Sequence, residues 1–342
     1  MRKNHMLFNS LTTKMVIVII PLVLWSHSFS TNIPAANTCQ IEVACELNIS
    51  INDFIAYSFF PSPGKLVSID QSGELRIWNL ETGTFETSTL NAKDPIIGAW
   101  FSPDSSSLLI YSDKRILSLY DCKSLQHKLD FVEPASSIST TCFSKEGKLF
   151  VCGHWNGNIS IWQLETGQLM HVFKGHDSPI GTVALSPNTQ LLASGGKEGN
   201  NDVLLWDIAS GQIIRKIGSH EGNVYNSLFS DNNTLLTSGG DRVARLWDIH
   251  TANQLRLFND QGGYLYGLTI SPSGKMLATS DNQSNIKFWD LNTGEVINKI
   301  KAPYGFIDGL LFSPDGKYMT SKPLINSRTI TVWRLQDRNS KD

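Results

Sequence analysis

His220, Ser238 and Asp241 are the residue types of a nucleophilic triad, in which an imidazole takes a serine proton while a carboxylate orients the ring. The types recur upstream, where His176 and Ser194 precede Trp206 much as His220 and Ser238 precede Trp247. A set that repeats along the chain, with its Ser inside the strand-like run Leu235-Leu236-Thr237-Ser238, reads as a device for holding structure. Buried polar side chains are tolerated where they hydrogen-bond one another. No other catalytic pattern is written in the chain: there is no Gly-x-Ser-x-Gly elbow, His-Glu-x-x-His, Cys-x-x-Cys or phosphate loop. Gly195-Gly196-Lys197-Glu198-Gly199 is glycine-rich but joins two strands, so it reads as an inserted loop and not a nucleotide site. No catalytic residue, cofactor or metal is expected.

The elements that position these residues repeat. Seven times an alternating apolar phrase ends in an aromatic, at Trp78, Tyr120, Trp162, Trp206, Trp247, Trp289 and Trp333, with spacings of 42, 42, 44, 41, 42 and 44 residues. Between the aromatics runs a turn phrase, as in Phe101-Ser102-Pro103-Asp104, Ile270-Ser271-Pro272-Ser273-Gly274 and Phe312-Ser313-Pro314-Asp315-Gly316. Pro presets φ for a turn and Gly supplies the positive φ that other residues resist. A short apolar strand follows each turn, and a polar turn such as Thr166-Gly167 follows each aromatic. Each unit therefore reads as four strands, and a period near 42 residues means a propeller.

On these motifs the chain, from about Ile41 to Leu335, resembles the WD-repeat β-propellers. Trp-Asp closes three units (Trp206-Asp207, Trp247-Asp248, Trp289-Asp290), and the Gly-His start survives at Gly175-His176, with Ser219-His220 as a variant. The resemblance implies an all-β fold, a seven-bladed β-propeller of four-stranded antiparallel blades. It also implies a buried tetrad within a blade, which by position is His220, Ser238, Asp241 and Trp247. The fourth unit has His176, Ser194 and Trp206, but the insertion Lys197 to Asn201 displaces its Asp. The other units lack the His and are expected to rely on ordinary packing.

Only Arg334 to Asp342 follow Trp333, too little for a normal fourth strand. The alternating stretch Cys39 to Glu46 is expected to supply the last blade's outer strand, so that the ring closes without a free sheet edge. The organisation is then residues 1–36 as a signal peptide or N-terminal anchor with linker, and residues 37–342 as one propeller. Arg2, Lys3 and Lys14 precede the apolar run Met15 to Trp25, and a polar small-residue stretch follows it, the pattern of a secretory signal. The run is short of the roughly 20 residues that span a bilayer. The propeller is thus expected to be exported, periplasmic or secreted; retention by residues 15–25 as a membrane anchor and an unexported propeller are the alternatives.

Cys142 and Cys152 fall on neighbouring strands of one hairpin at even separation, which suggests a shared face and a possible bond, or simply two small buried residues. The net charge is -2, with Lys and Arg scattered singly, so nucleic acid is not an expected partner.

What remains is surface. The resemblance implies a partner face built by the loops into the first strand and between the second and third. The positions projecting onto it are Ala56, Ile97, Ser139, Gly181, Tyr225, Tyr266 and Asp308, with Tyr264, Tyr304, Phe306 and His154-Trp155 in nearby loops. Aromatics on exposed loops bury large area at little entropic cost. The expected function is a non-catalytic platform, a monomeric propeller within a complex, that binds a protein or peptide through Tyr225, Tyr266, Asp308, Tyr264, Tyr304, Phe306 and Trp155. The alternatives are an enzyme at the channel mouth, with Asp53, Asp94, Asp308 and His154 as nearest candidates, or a glycan-binding module. Fold alone does not choose among them.

Overall fold

A computed structural model describes residues 39–48, 54–60, 62–133, 136–259, 262–303, 305–323 and 329–337. The expected signal or anchor over residues 1–36 lies outside them. The described residues form seven antiparallel sheets of four strands each, every sheet one blade. Blade 1 consists of Phe54–Phe59, Lys65–Asp70, Glu74–Asn79 and Phe85–Thr89 in spatial order, and blades 2 to 6 repeat that order. Burial falls outward along a blade: Ile138–Phe143, the innermost strand of blade 3, is buried throughout, whereas Phe85–Thr89, the outermost of blade 1, is exposed throughout.

Blade 7 joins both ends of the chain. Ile307–Phe312, Tyr318–Pro323 and Thr329–Asp337 are completed by Cys39–Asn48, paired from Cys39 opposite Asp337 to Asn48 opposite Thr329. The N-terminal strand thus closes the ring.

The apolar side chains of each blade pack against those of the next. Among the described residues they form seven clusters, one at each junction. At the closing junction Leu47, Tyr318, Ile330 and Val332 of blade 7 meet Tyr57, Phe59, Leu66 and Trp78 of blade 1. Burying both faces of every blade in this way is what ties the strands into one disc.

Two polar devices recur within that apolar frame. The Ser of the turn phrase accepts the backbone N–H that opens the second strand, from Ser107 to Ser102 (2.9 Å), Leu149 to Ser144 (2.9 Å), Leu191 to Ser186 (2.9 Å), Met276 to Ser271 (3.1 Å) and Tyr318 to Ser313 (2.9 Å). This is why Ser precedes the turn. The second device is the indole: Trp78 donates to Ser68 (2.9 Å), Trp206 to Ser194 (2.9 Å), Trp247 to Thr237 (2.8 Å), Trp289 to Thr279 (2.9 Å) and Trp333 to Ser321 (2.9 Å). Blades 1, 6 and 7 lack the His, yet they do not rely on packing alone, because a hydroxyl on the second strand satisfies each buried indole.

The cysteine expectation is corrected by the register. Cys142 pairs with Val151 and Cys152 with Thr141, so the two cysteines lie on opposite faces of the sheet. Residues directly opposite share a face, and a slip of one residue changes it. Cys142 packs toward blade 4 and Cys152 toward blade 2, and both are free thiols.

Candidate partner-binding face

In every blade the first strand begins with an extra residue. The pairing skips from Phe54 to Ala56, Ile96 to Gly98, Ile138 to Thr140, Ile180 to Thr182, Val224 to Asn226, Leu265 to Gly267 and Ile307 to Gly309. A bulge takes its extra residue out of the ladder and re-aims it. The bulged residues are Ile55, Ile97, Ser139, Gly181, Tyr225, Tyr266 and Asp308. Six of them are the positions read from the sequence; in blade 1 Ala56 instead pairs with Ile69 and is buried, and Ile55 holds the bulge.

Bulges on two consecutive blades and one loop residue build an aromatic ladder. Tyr225 and Tyr266, both half-buried, stack at 4.6 Å between centroids and 27° between planes. Phe306, 38% exposed, stacks on Tyr266 at 6.2 Å and 23°. Burial, and then the hydrogen bond with the Tyr225 hydroxyl, push the Tyr266 phenol above the usual tyrosine range. Tyr264 is 41% exposed with the Arg242 guanidinium 5.6 Å from its ring centre. Trp155, 38% exposed, stands on blade 3 with the Lys197 ammonium 5.6 Å from its ring centre. Tyr304 lies outside the described residues.

Asp308 is half-buried, and its Oδ1 is occluded without a hydrogen-bond partner. Burial raises its carboxyl above the usual range, against the pull of Lys322. Of the other acid–base candidates, Asp94 is paired with Lys114 and Asp53 lies outside the described residues. His154 does not share the exposed loop of Trp155: it ends the strand Leu149–His154 and is fully buried.

There it forms a network not anticipated from the sequence. His154 Nδ1 lies 3.1 Å from the Ser136 carbonyl, and Nε2 lies 3.0 Å from Ser160 Oγ and 3.3 Å from Glu133 Oε1. Ser160 Oγ donates to Glu133 Oε2 at 2.9 Å, and Trp162 Nε1 donates to the same oxygen at 3.1 Å. Ser, His and carboxylate are together here, but the His154 and Glu133 side chains are both 0% exposed, so no substrate meets them. Blade 3 needs this arrangement because Cys152 stands ten residues before Trp162, where Ser68 precedes Trp78 by the same interval. Glu133 sits one repeat before His176, a spacing that would have revealed it.

In blade 5 His220 Nδ1 lies 2.8 Å from Asp241 Oδ1, and His220 Nε2 lies 2.8 Å from Thr237 Oγ1. Arg245 donates to Asp241 Oδ2 at 2.6 Å. The expected tetrad is corrected in one member: Thr237, not Ser238, is its hydroxyl. Ser238 pairs with Asn226 on the other face and accepts from its Nδ2 at 3.2 Å. Burial raises the Asp241 carboxyl, but the His220 hydrogen bond and charge and then Arg245 outweigh it and hold the group at about 2. In blade 4 His176 Nε2 lies 2.9 Å from Ser194 Oγ, while Asp202 pairs with Lys216 at 2.6 Å.

Comparison with known proteins agrees with this geometry. The family model for the WD domain, G-beta repeat, matches residues 125–163, 167–207, 211–248 and 253–290. The chain is 31% identical over 134 residues, 38% of its length, to the meiotic recombination protein rec14 of Schizosaccharomyces pombe, covering 44% of that protein. It is 26% identical over 145 residues, 42% of its length, to the serine-threonine kinase receptor-associated protein of Gallus gallus, covering 41% of it. It is 23% identical over 140 residues, 36% of its length, to the eukaryotic translation initiation factor 3 subunit I of Kluyveromyces lactis, covering 40% of it. The chain thus spans less than half the length of these relatives.

Proposed function

We propose that this chain, which belongs to the WD-repeat β-propellers, acts as a rigid non-catalytic platform that holds a partner protein or peptide on its top face. The observation that carries this reading is the Tyr225–Tyr266–Phe306 ladder, set on consecutive blades. The bulges and blade junctions hold these rings in place before a partner arrives, so binding orders little chain. Large aromatic anchors are the side chains that dominate protein interfaces. The relatives support it by name, since one is receptor-associated and another is a subunit of a larger factor.

The same ladder disfavours a glycan. Sugars stack on a free ring face, and the Tyr266 ring already stacks with both Tyr225 and Phe306. Among the described residues an enzyme at the channel mouth finds no converging set, because His154 is sealed and Asp94 is paired with Lys114, which leaves Asp308 without a partner for acid–base chemistry. We place the platform outside the cytoplasm on the basic residues Arg2, Lys3 and Lys14 and the apolar run after them.

The test is affinity capture from host envelope extract by the purified protein, beside a Tyr225→Ala/Tyr266→Ala variant whose melting temperature confirms that it is folded. A protein captured by the wild type and lost with the variant supports the reading. Equal capture by both removes this face from the function. N-terminal sequencing of the mature chain tests export: a start beyond the apolar run supports it, and an intact Met1 overturns cleavage.

A further inference from the structure

Beside the aromatic ladder lies a lysine that has no anion. Lys197, in the inserted loop of blade 4, is only 7% exposed, and among the described residues no carboxylate lies within ion-pairing distance of it. Charges are normally buried only when paired, because desolvation costs several kcal/mol per ion. Its ammonium lies 5.6 Å from the centre of the Trp155 ring, whose face attracts a cation but accepts no hydrogen bond from a fixed direction. Among the described residues the ammonium has no hydrogen-bond partner, yet it is not one of the occluded unpartnered atoms, so the exposure the residue keeps includes its charged end. Burial lowers the Lys197 amine below its usual range, against the opposing effect of Glu198.

The placement is built in. A Cβ at Gly181, the bulged residue of blade 4, would lie 2.9 Å from Lys197 Cγ and 3.2 Å from its Cε, so the lysine stem runs across the top of that bulge because the residue is Gly. The same Cβ would lie 2.1 Å from the Val224 carbonyl oxygen, which sets the stem alongside the residue that precedes Tyr225. Two hydrogen bonds from backbone N–H groups hold the loop down, from Lys197 N–H to the Pro179 carbonyl (2.9 Å) and from Glu198 N–H to the Asn223 side-chain Oδ1 (2.9 Å). Trp155, Lys197, Tyr225, Tyr266 and Phe306 therefore follow one another over blades 3 to 7.

We propose that the partner presents to this face an extended segment in which an Asp or Glu side chain pairs with Lys197 while a neighbouring apolar residue packs on Tyr225 and Tyr266. The inference rests on the platform reading and adds the chemistry of the partner. A carboxylate completes the hydrogen bonding of the ammonium, and the aromatic surroundings shield the pair from water, where an ion pair is stronger than at an open surface.

A randomised nonapeptide phage library panned on the full-length protein, with counter-selection on the Tyr225→Ala/Tyr266→Ala variant, tests it. The selected peptides are expected to carry Asp or Glu at a fixed position next to an apolar residue. A fluorescent copy of the consensus peptide should bind Lys197→Met about tenfold more weakly, and Lys197→Arg within roughly threefold of wild type. Changing the peptide's carboxylate to the amide should cost the same factor on wild type and nothing more on Lys197→Met, the signature of direct pairing. Met keeps the length of the stem, so an unchanged melting temperature separates lost pairing from lost folding. Selected peptides without a fixed acid, or equal binding by Lys197→Met, overturn the Lys197 pairing and leave the platform standing. If no peptide prefers the wild type to the tyrosine variant, the platform reading and the pairing fall together.

Discussion

The indole of Trp247 donates to Thr237 Oγ1 at 2.8 Å, and the neighbouring hydroxyl of Ser238 plays no part in that bond. Thr237 also faces His220 Nε2 at 2.8 Å, so one hydroxyl serves two buried rings. Thr237→Val removes it at nearly constant volume and leaves both rings short of a partner, which costs about 1–3 kcal/mol. Ser238→Ala should cost less, since Asn226 Nδ2 keeps a second acceptor in the Tyr266 carbonyl at 2.7 Å. Urea unfolding of the two variants gives the comparison, and an equal loss in both would contradict the assignment.

Glu133 holds His154, Ser160 and Trp162 together where no water reaches. Glu133→Ala strands three buried donors and acceptors and should destabilise the protein by about 3–5 kcal/mol, the range for breaking a buried pair from one side. His154→Ala in the same background should add far less than it costs alone, because the two act as one unit. A double-mutant cycle by chemical denaturation reads the coupling, and additive losses would refute it.

The cysteines make a simpler prediction. Cys142 and Cys152 face opposite sides of their hairpin, so they cannot bond without breaking the register. The melting temperature of the purified protein should be the same with and without reductant, and its intact mass should show both as thiols. A shift on reduction would point to a bond between them.

Stability should fall in acid in two stages. Burial lowers the His176 imidazole below its usual range, so the unfolded chain binds a proton that the folded one refuses. That contribution is complete above about pH 6.5 and is lost as the pH falls below it toward the folded value. Asp241, held at about 2, contributes above its unfolded value and loses that contribution as the pH falls from about 4 through about 2. Melting temperatures from pH 8 to pH 3 should therefore decline below about 6.5, and His176→Asn should flatten the first stage. An unchanged slope in that variant would assign the decline elsewhere.

The repeat was legible because it is local. Alternating apolar residues, the Ser-Pro turn and the terminal Trp each act within a few residues, so their recurrence settles blade number and strand order, while the alternation of Cys39 to Glu46 marks the strand that is observed over Cys39–Asn48. Face and partner were not, because they depend on register. Ser194 and Ser238 look alike in sequence, but the insertion after Ser194 moves Trp206 two residues further away, so the residue matching Ser194 is Thr237. The parity of the Cys142 hairpin was hidden likewise, since the turn decides which residues oppose.

The chain by itself determined the disc and, in six of the seven blades, the first-strand residue that leaves the ladder, because backbone pairing and burial repeat with the sequence. Tertiary structure alone decided what meets across blades: Tyr225 with Tyr266, Trp155 with Lys197, and Glu133 with His154. These contacts join residues of separate repeats or strands, and no local propensity encodes a distance that exists only once the ring has closed.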